Sequence, residues 1–303
     1  MFKSLLRKSL RFFFFILKFI GIMINYLRIK SMSAEVYGHD YKQALLALLS
    51  ANLHKDMRKD YAIGAILGAL QAKYCGYNKI TLIEFGVAKG IGFKTLMNVA
   101  DAIRKKMAIN VKVIGFDNRS GLPKPKGYRD HPEVWKSSQY EMGTYYDSIE
   151  KIAKNMGGEL VIGDVKDTLK DFNLGENLLA FASIDVDYYS STKPITEWLI
   201  NLRADHLLPA TVLYFDDVLS LWTYSSFAGE SLAITEFNEI SKTKKIELKD
   251  KNLKLYALHN FENPYRTGEK TPMVQLHLFI SNLEKYYFDK FDQILNSISR
   301  RFS

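Results

Sequence analysis

Cysteine is almost absent: Cys75 is the only one in 303 residues. An intrachain disulfide framework is therefore excluded, and a reducing compartment suits the chain. Beside Gly76 and just ahead of the first strong strand pattern, Cys75 reads as a small buried filler and not as a nucleophile. No uninterrupted apolar run reaches the roughly 20 residues that a membrane-spanning helix needs. Acids are missing from the first 34 positions, where Lys3, Arg7, Lys8, Arg11, Lys18, Arg28 and Lys30 precede the first acid, Glu35. Without those seven cations the net charge of +9 falls to +2, so the main body is almost neutral and nucleic acid is not expected as a partner. Internal repeats are absent, and so are low-complexity tracts beyond one phenylalanine run. A hydrophobic content of 47% with 25% charged residues excludes wholesale disorder. The length supports one large α/β domain or two small ones.

In residues 1–34 two apolar runs, Phe12 to Leu17 and Phe19 to Ile24, are split by Lys18. Arg11, Lys18 and Asn25 recur every seven residues and fall on one narrow stripe of a helix whose other faces are Phe, Ile, Leu and Met. Such a basic-aromatic amphipathic helix suits an anionic membrane surface, which predicts a cytoplasmic protein held peripherally on the inner face of a membrane. A docking or oligomerisation helix, and a cleaved signal or single span, are the alternatives; a homo-oligomer is compatible with the sequence.

Residues 35–78 carry Ala- and Leu-rich helical patterns and predict a helical cap. From Lys79 the texture alternates: KITLIEFG, NVKVIGFD, GELVIGD, LLAFASIDVD and TVLYFDD read as strands, with helical patterns between them. KLYALHN and MVQLHLFIS follow as a hairpin-like antiparallel pair. The alternation predicts a doubly wound α/β fold, with a mostly parallel sheet and helices on both faces, over residues 79–282. Residues 283–303 read as a C-terminal amphipathic helix.

In such a sheet ligands bind at the carboxyl ends of the strands, and here every tip carries an acid: Glu84, Asp117, Asp164, Asp185 with Asp187, and Asp216 with Asp217. Asp164 is equally explained as a helix N-cap. The loop EFGVAKGIG holds Gly86, Gly90 and Gly92, and its spacing is not the dinucleotide fingerprint G-x-G-x-x-G. An acid ahead of the first glycine suits a cationic ligand. Asp117 is placed to accept both hydroxyls of a ribose. Adjacent strand tips lie about five ångström apart, so Asp185, Asp187, Asp216 and Asp217 could share one hard cation such as Mg²⁺, leaving positions for substrate oxygens. Buried together without a cation they would be costly.

The blocks EFGVAKGIGFKT, GFDNRSGLPKP, GDVKDTL, SIDVDYYSSTKPITEWL and LYFDDV, in that order over roughly residues 79–238, resemble the macrocin O-methyltransferase family, class I enzymes acting on sugar hydroxyls. The tract GESLAITEFN resembles the helix that follows the family's last aspartates. The resemblance implies a Rossmann-like sheet of seven strands with a reversed final strand, S-adenosyl-L-methionine as methyl donor and Mg²⁺ as cofactor. By position it implies Glu84, Gly86 and Gly90 at the methionine end of the donor, Asp117 on its ribose and Asp164 near its adenine. It implies Asp185, Asp216 and Asp217 as metal ligands, Asp185 and Asp187 as catalytic, with Asp187 the candidate base. Some relatives use a histidine near that point; here Tyr188 and Tyr189 follow. The acceptor implied is a small molecule or glycan. Trp135, Tyr140, Tyr145 and Tyr146 could form a lid for stacking on a sugar, or a loop packed on its own aromatics, and His131 reads as a plain loop histidine.

Two other functions fit parts of the pattern. Asp185-Val186-Asp187 also matches the D-x-D motif of a membrane-associated metal-dependent glycosyltransferase, which does not account for the Glu84 loop. A non-catalytic membrane-attached scaffold would not need an acid at every strand tip.

Overall fold

The protein is described by a computed structural model over residues 57–218 and 225–267. The expected segments 1–34 and 283–303, the first part of the cap and the strand MVQLHLFIS lie outside the described residues.

The chain alternates in the order α1 (Lys59–Tyr74), β1 (Lys79–Phe85), α2 (Ile91–Met107), β2 (Asn110–Asp117), α3 (Tyr146–Met156) and β3 (Gly158–Ile162). It continues through α4 (Val165–Thr168), β4 (Leu178–Ile184), α5 (Tyr189–Asn201), β5 (Leu207–Phe215), α6 (Gly229–Ile240), β6 (Lys244–Asp250) and β7 (Leu255–Asn260). Among the described residues one seven-stranded sheet results, in the order β3-β2-β1-β4-β5-β7-β6. The pairs among β1 to β5 are parallel, and β7 runs antiparallel to both β5 and β6. This is the expected doubly wound Rossmann-like sheet, reversed strand included.

The central strands are legible because both their faces are covered, so they read as nearly unbroken apolar runs. β4 is buried at every residue and β1 at all but Lys79. Tyr61, Phe93, Leu96 and Leu82 belong to the core beneath α1 and α2 on one face; Phe85, Phe116, Leu199 and Phe237 belong to the core beneath α5 and α6 on the other. α1 lies unusually close to the sheet. A Cβ added at Gly68 would stand 2.2 Å from the Ala180 carbonyl oxygen, so only glycine allows this approach.

One element departs from the sequence reading. KLYALHN, which carries β7, pairs antiparallel with β5 and with KKIELKD, the outermost described strand β6. Three lysines and two acids hide this strand in the sequence. Lys244 and Ile246 are its buried residues, and the Lys244 ammonium reaches the carbonyls of Ile200, at 2.7 Å, and Leu202. A cation at the carboxyl end of α5 satisfies carbonyls the helix leaves open, so a residue that looks solvated is part of the interior.

Candidate active site

β1 pairs with β2 on one side and β4 on the other, although β2 and β3 come before β4 in the chain. The crevice at this reversal is where an open α/β sheet binds ligands. Glu84 and Gly86 stand at its β1 wall and Asp185 at its β4 wall. The two tips touch: Gly86 has φ +90°, and a Cβ on it would lie 1.9 Å from the Asp185 carbonyl oxygen.

Glu84 is 2% exposed, and its Oε2 makes no hydrogen bond among the described residues. Burial, with Asp185 nearby, pushes its carboxyl well above the usual range. It lies close under the start of α2, since a Cβ at Gly92 would meet its Oε1 at 2.0 Å. Gly90, with φ +78°, begins α2, and no side chain caps that helix. Asp117 organises the glycine loop from below. Its Oδ2 accepts from the amides of Val87 (3.0 Å) and Ala88 (2.8 Å), and its Oδ1 from that of Arg119 (2.6 Å). Burial raises its pKa despite these three donors. Asp164 stands apart from the other acids. It caps α4 by accepting from the Lys166 amide at 3.0 Å, and it pairs with the Lys166 ammonium at 3.3 Å.

The remaining acids converge. Asp185, Asp216 and Asp217 each offer a carboxylate oxygen, and all of these lie within 4.8 Å of one another. Asp187 joins them in a left-handed backbone conformation, φ +61°. Burial, then a hydrogen bond and repulsion from Asp217, push its carboxyl up to about 9. Asp185 is raised to about 6 by burial and by Asp216, with Arg58 opposing. Burial acts in the same sense on Asp216, but Tyr214, Lys254 and Arg58 outweigh it and its pKa is lowered.

Several participants have no local signature in the sequence. Arg58, just ahead of α1, donates to Asp185 at 3.2 Å, and the Tyr61 hydroxyl donates to the same oxygen at 3.1 Å. Lys254 donates to Asp216 at 2.9 Å. Glu230 on α6 is fully buried; its Oε2 accepts from the Asp217 amide at 3.0 Å, and its Oε1 makes no hydrogen bond among the described residues. Burial and Asp217 push it well above the usual range. Only Tyr214 could have been found by pattern, two residues before Asp216 and so on the same side of its strand.

The loop between β2 and α3 covers this cluster. Asp130 is fully buried and accepts from the Ser190 amide and hydroxyl, both at 2.8 Å, which ties the loop to the start of α5. His131 is buried, bonds Glu133 at 2.8 Å, and packs against Gly229, where an added Cβ would be 3.2 Å from its ring. It remains a loop histidine, as expected, and is buried. Tyr140 is raised by partial burial and then by Asp187, Asp217, Asp185 and Asp216, so its phenol faces the acids. Trp135 and Tyr140 rings also lie 6.0 Å apart, edge to face. A separate cavity of about 550 Å³, lined by Lys166, Phe172, Trp198 and Arg203 among others, contains none of the clustered acids. Among the described residues it also holds no buried side-chain polar atom that lacks a partner.

No family profile and no curated protein matches the chain. Solved structures do. CalS11, a calicheamicin methyltransferase, is 18% identical, with a TM-score of 0.50 over 67% of this chain and 79% of that one. The O-methyltransferase NovP is 16% identical, with a TM-score of 0.45 over 67% and 78%. An O-methyltransferase from Bacillus cereus in complex with SAH is 13% identical, with a TM-score of 0.39 over 77% and 97%. At these identities the common feature is the fold. The likeness to the macrocin family rests on the sequence blocks alone.

Proposed function

We propose that this chain is an S-adenosyl-L-methionine-dependent O-methyltransferase. Its acceptor is a hydroxyl of a sugar or glycan-like molecule, and a divalent cation held by Asp185, Asp216 and Asp217 assists. The observation that carries this reading is the contact of the Gly86 and Asp185 tips, which sets the glycine loop and the acid cluster side by side in one crevice.

The residues present fit a hard cation. Their donors are all carboxylate oxygens, acids outnumber the nearby cations Arg58 and Lys254, and the buried Glu230 keeps one oxygen without a hydrogen bond among the described residues. A bound divalent ion would lower the pKa of a coordinated hydroxyl and fix it in place. The chain supplies the rest. Glu84 would offer the donor a buried carboxyl, whose ionised form a positive charge beside it favours, and Asp117 holds the loop that would shape the donor site and receive the ribose. Asp164, exposed at the start of α4, would be the residue nearest the adenine. The bound donor would supply the methyl group to an acceptor oxygen, and Asp187 would take the hydroxyl proton. With a carboxyl near 9, Asp187 holds a proton at neutral pH; positive charge beside it favours the ionised form that can act as base. Tyr140 and its loop exclude water and align the acceptor, on which a displacement of this kind chiefly depends.

Among the described residues no helix is long and apolar enough to cross a membrane. The basic-aromatic stripe of residues 1–34 supports peripheral attachment to an anionic membrane surface, which suits a lipid-linked or surface glycan as acceptor.

Calorimetric titration of the full chain with S-adenosylmethionine, alongside mass spectrometry of cell-surface glycans with and without the protein, tests the reading. Donor binding and glycans heavier by one methylene are expected. Binding of a nucleotide-sugar in place of the donor would reassign the chain to sugar transfer.

A further inference from the structure

Two of the clustered aspartates are held in the same manner. Asp185 has one oxygen, Oδ2, engaged by two donors, the Arg58 guanidinium at 3.2 Å and the Tyr61 hydroxyl at 3.1 Å. Asp216 has one oxygen, Oδ1, engaged by the Tyr214 hydroxyl and the Lys254 ammonium. Arg58 joins the two halves, because its Nη2 donates to the Tyr214 hydroxyl at 2.7 Å and stands 3.6 Å from Asp216 Oδ1. In each aspartate one oxygen, the rear one, takes both donors, and the other, the front one, takes no hydrogen bond among the described residues.

Arg58 is itself firmly held. Its guanidinium lies 4.2 Å from the Tyr61 ring centroid and 5.1 Å from that of Tyr214, and Asp60 accepts from it at 3.1 and 3.3 Å. Its backbone amide donates to Thr95 on α2 at 3.1 Å. A guanidinium packed against two rings and charge-matched by Asp60 is a fixed fork, not a mobile counter-ion. Because Asp60 offsets much of its charge, the aspartate cluster stays attractive to a divalent ion.

We infer that Arg58 is a positioning residue of the cation site. With Tyr61 it fixes the rear oxygen of Asp185, and through Tyr214 it fixes that of Asp216, so that the front oxygens are presented together. This inference rests on the cation reading above. Groups that orient metal ligands in this way change affinity by about 10- to 100-fold when removed.

The test is a titration of the full chain with Mn²⁺, followed by electron paramagnetic resonance. Arg58→Ala is expected to weaken Mn²⁺ binding by about 10- to 100-fold while affinity for S-adenosylhomocysteine is unchanged. Arg58→Lys should recover only part of the loss, since a point charge cannot span both aspartates. Tyr61→Phe should weaken binding in the same direction by less. Mn²⁺ binding by Arg58→Ala as tight as in the native chain, or tighter, would overturn the inference and leave the cation reading standing. Absence of Mn²⁺ binding by the native chain would overturn the cation reading and this inference with it. If circular dichroism shows Arg58→Ala unfolded, Tyr61→Phe decides, and unchanged Mn²⁺ affinity there overturns the positioning role.

Discussion

The two walls of the crevice are built in opposite ways. On the β1–β2 side, Asp117 is held by main-chain amides of Val87, Ala88 and Arg119, all donated by the loops at its own end of the sheet. On the β4–β5 side, Asp185 and Asp216 are held by side chains that arrive from far along the chain: Arg58 and Tyr61 from the start of α1, Lys254 from the turn before β7. Main-chain donors tolerate substitution of the residues that carry them. Side-chain donors do not. The first wall should therefore be robust and the second sensitive to single changes.

The largest expected effect separates the walls. Asp216→Ala should reduce cation-dependent turnover at least about a hundredfold while sparing donor binding. Asp117→Ala should weaken donor binding about tenfold or more, by loss of charge-assisted hydrogen bonds, while sparing Mn²⁺ affinity. Calorimetry with donor and with metal reads both, and full activity of Asp216→Ala in the presence of a chelator would remove the metal assignment. Next comes a change that should damage both walls together. Gly86→Ala places a Cβ on the Asp185 carbonyl at a backbone angle of φ +90°. It should cost about 1–3 kcal/mol in urea unfolding and weaken donor and metal alike; loss of one affinity alone would show that the walls are independent.

The last effect is a pH slope. The Asp187 carboxyl stands at about 9 in the fold against an ordinary 3.8. Across that window the folded state holds a proton that the unfolded chain has released, so the stability of the metal-free protein falls as pH rises. The slope contributed is at most about 1.4 kcal/mol per pH unit. Urea midpoints compared at about pH 6 and pH 8 should fall less for Asp187→Asn than for the native chain. An equal fall would show that Asp187 is not proton-bearing in the fold.

The same contrast governs what could be read from the sequence. Strands β1 to β5 were visible because each is an apolar run closed by an acid, and the acids mark the crevice at once. β6 was not, because KKIELKD is the outermost described strand and its one buried lysine spends its charge on the end of α5. Asp117 and Asp185 could be placed by strand position alone, as could Asp216 and Asp217. Arg58 could not, since 127 residues separate it from Asp185 and nothing around it repeats or spaces informatively.

The seam between Gly86 and Asp185 fixes a length. Two backbones abut there, so under the proposed function the separation of methyl donor from cation would be a property of the sheet, not tuned by exchanging residues around the cleft. Variation in such a protein would be channelled into the long segment from Asn118 to Tyr145, where the choice of acceptor can change while the reacting distance stays constant.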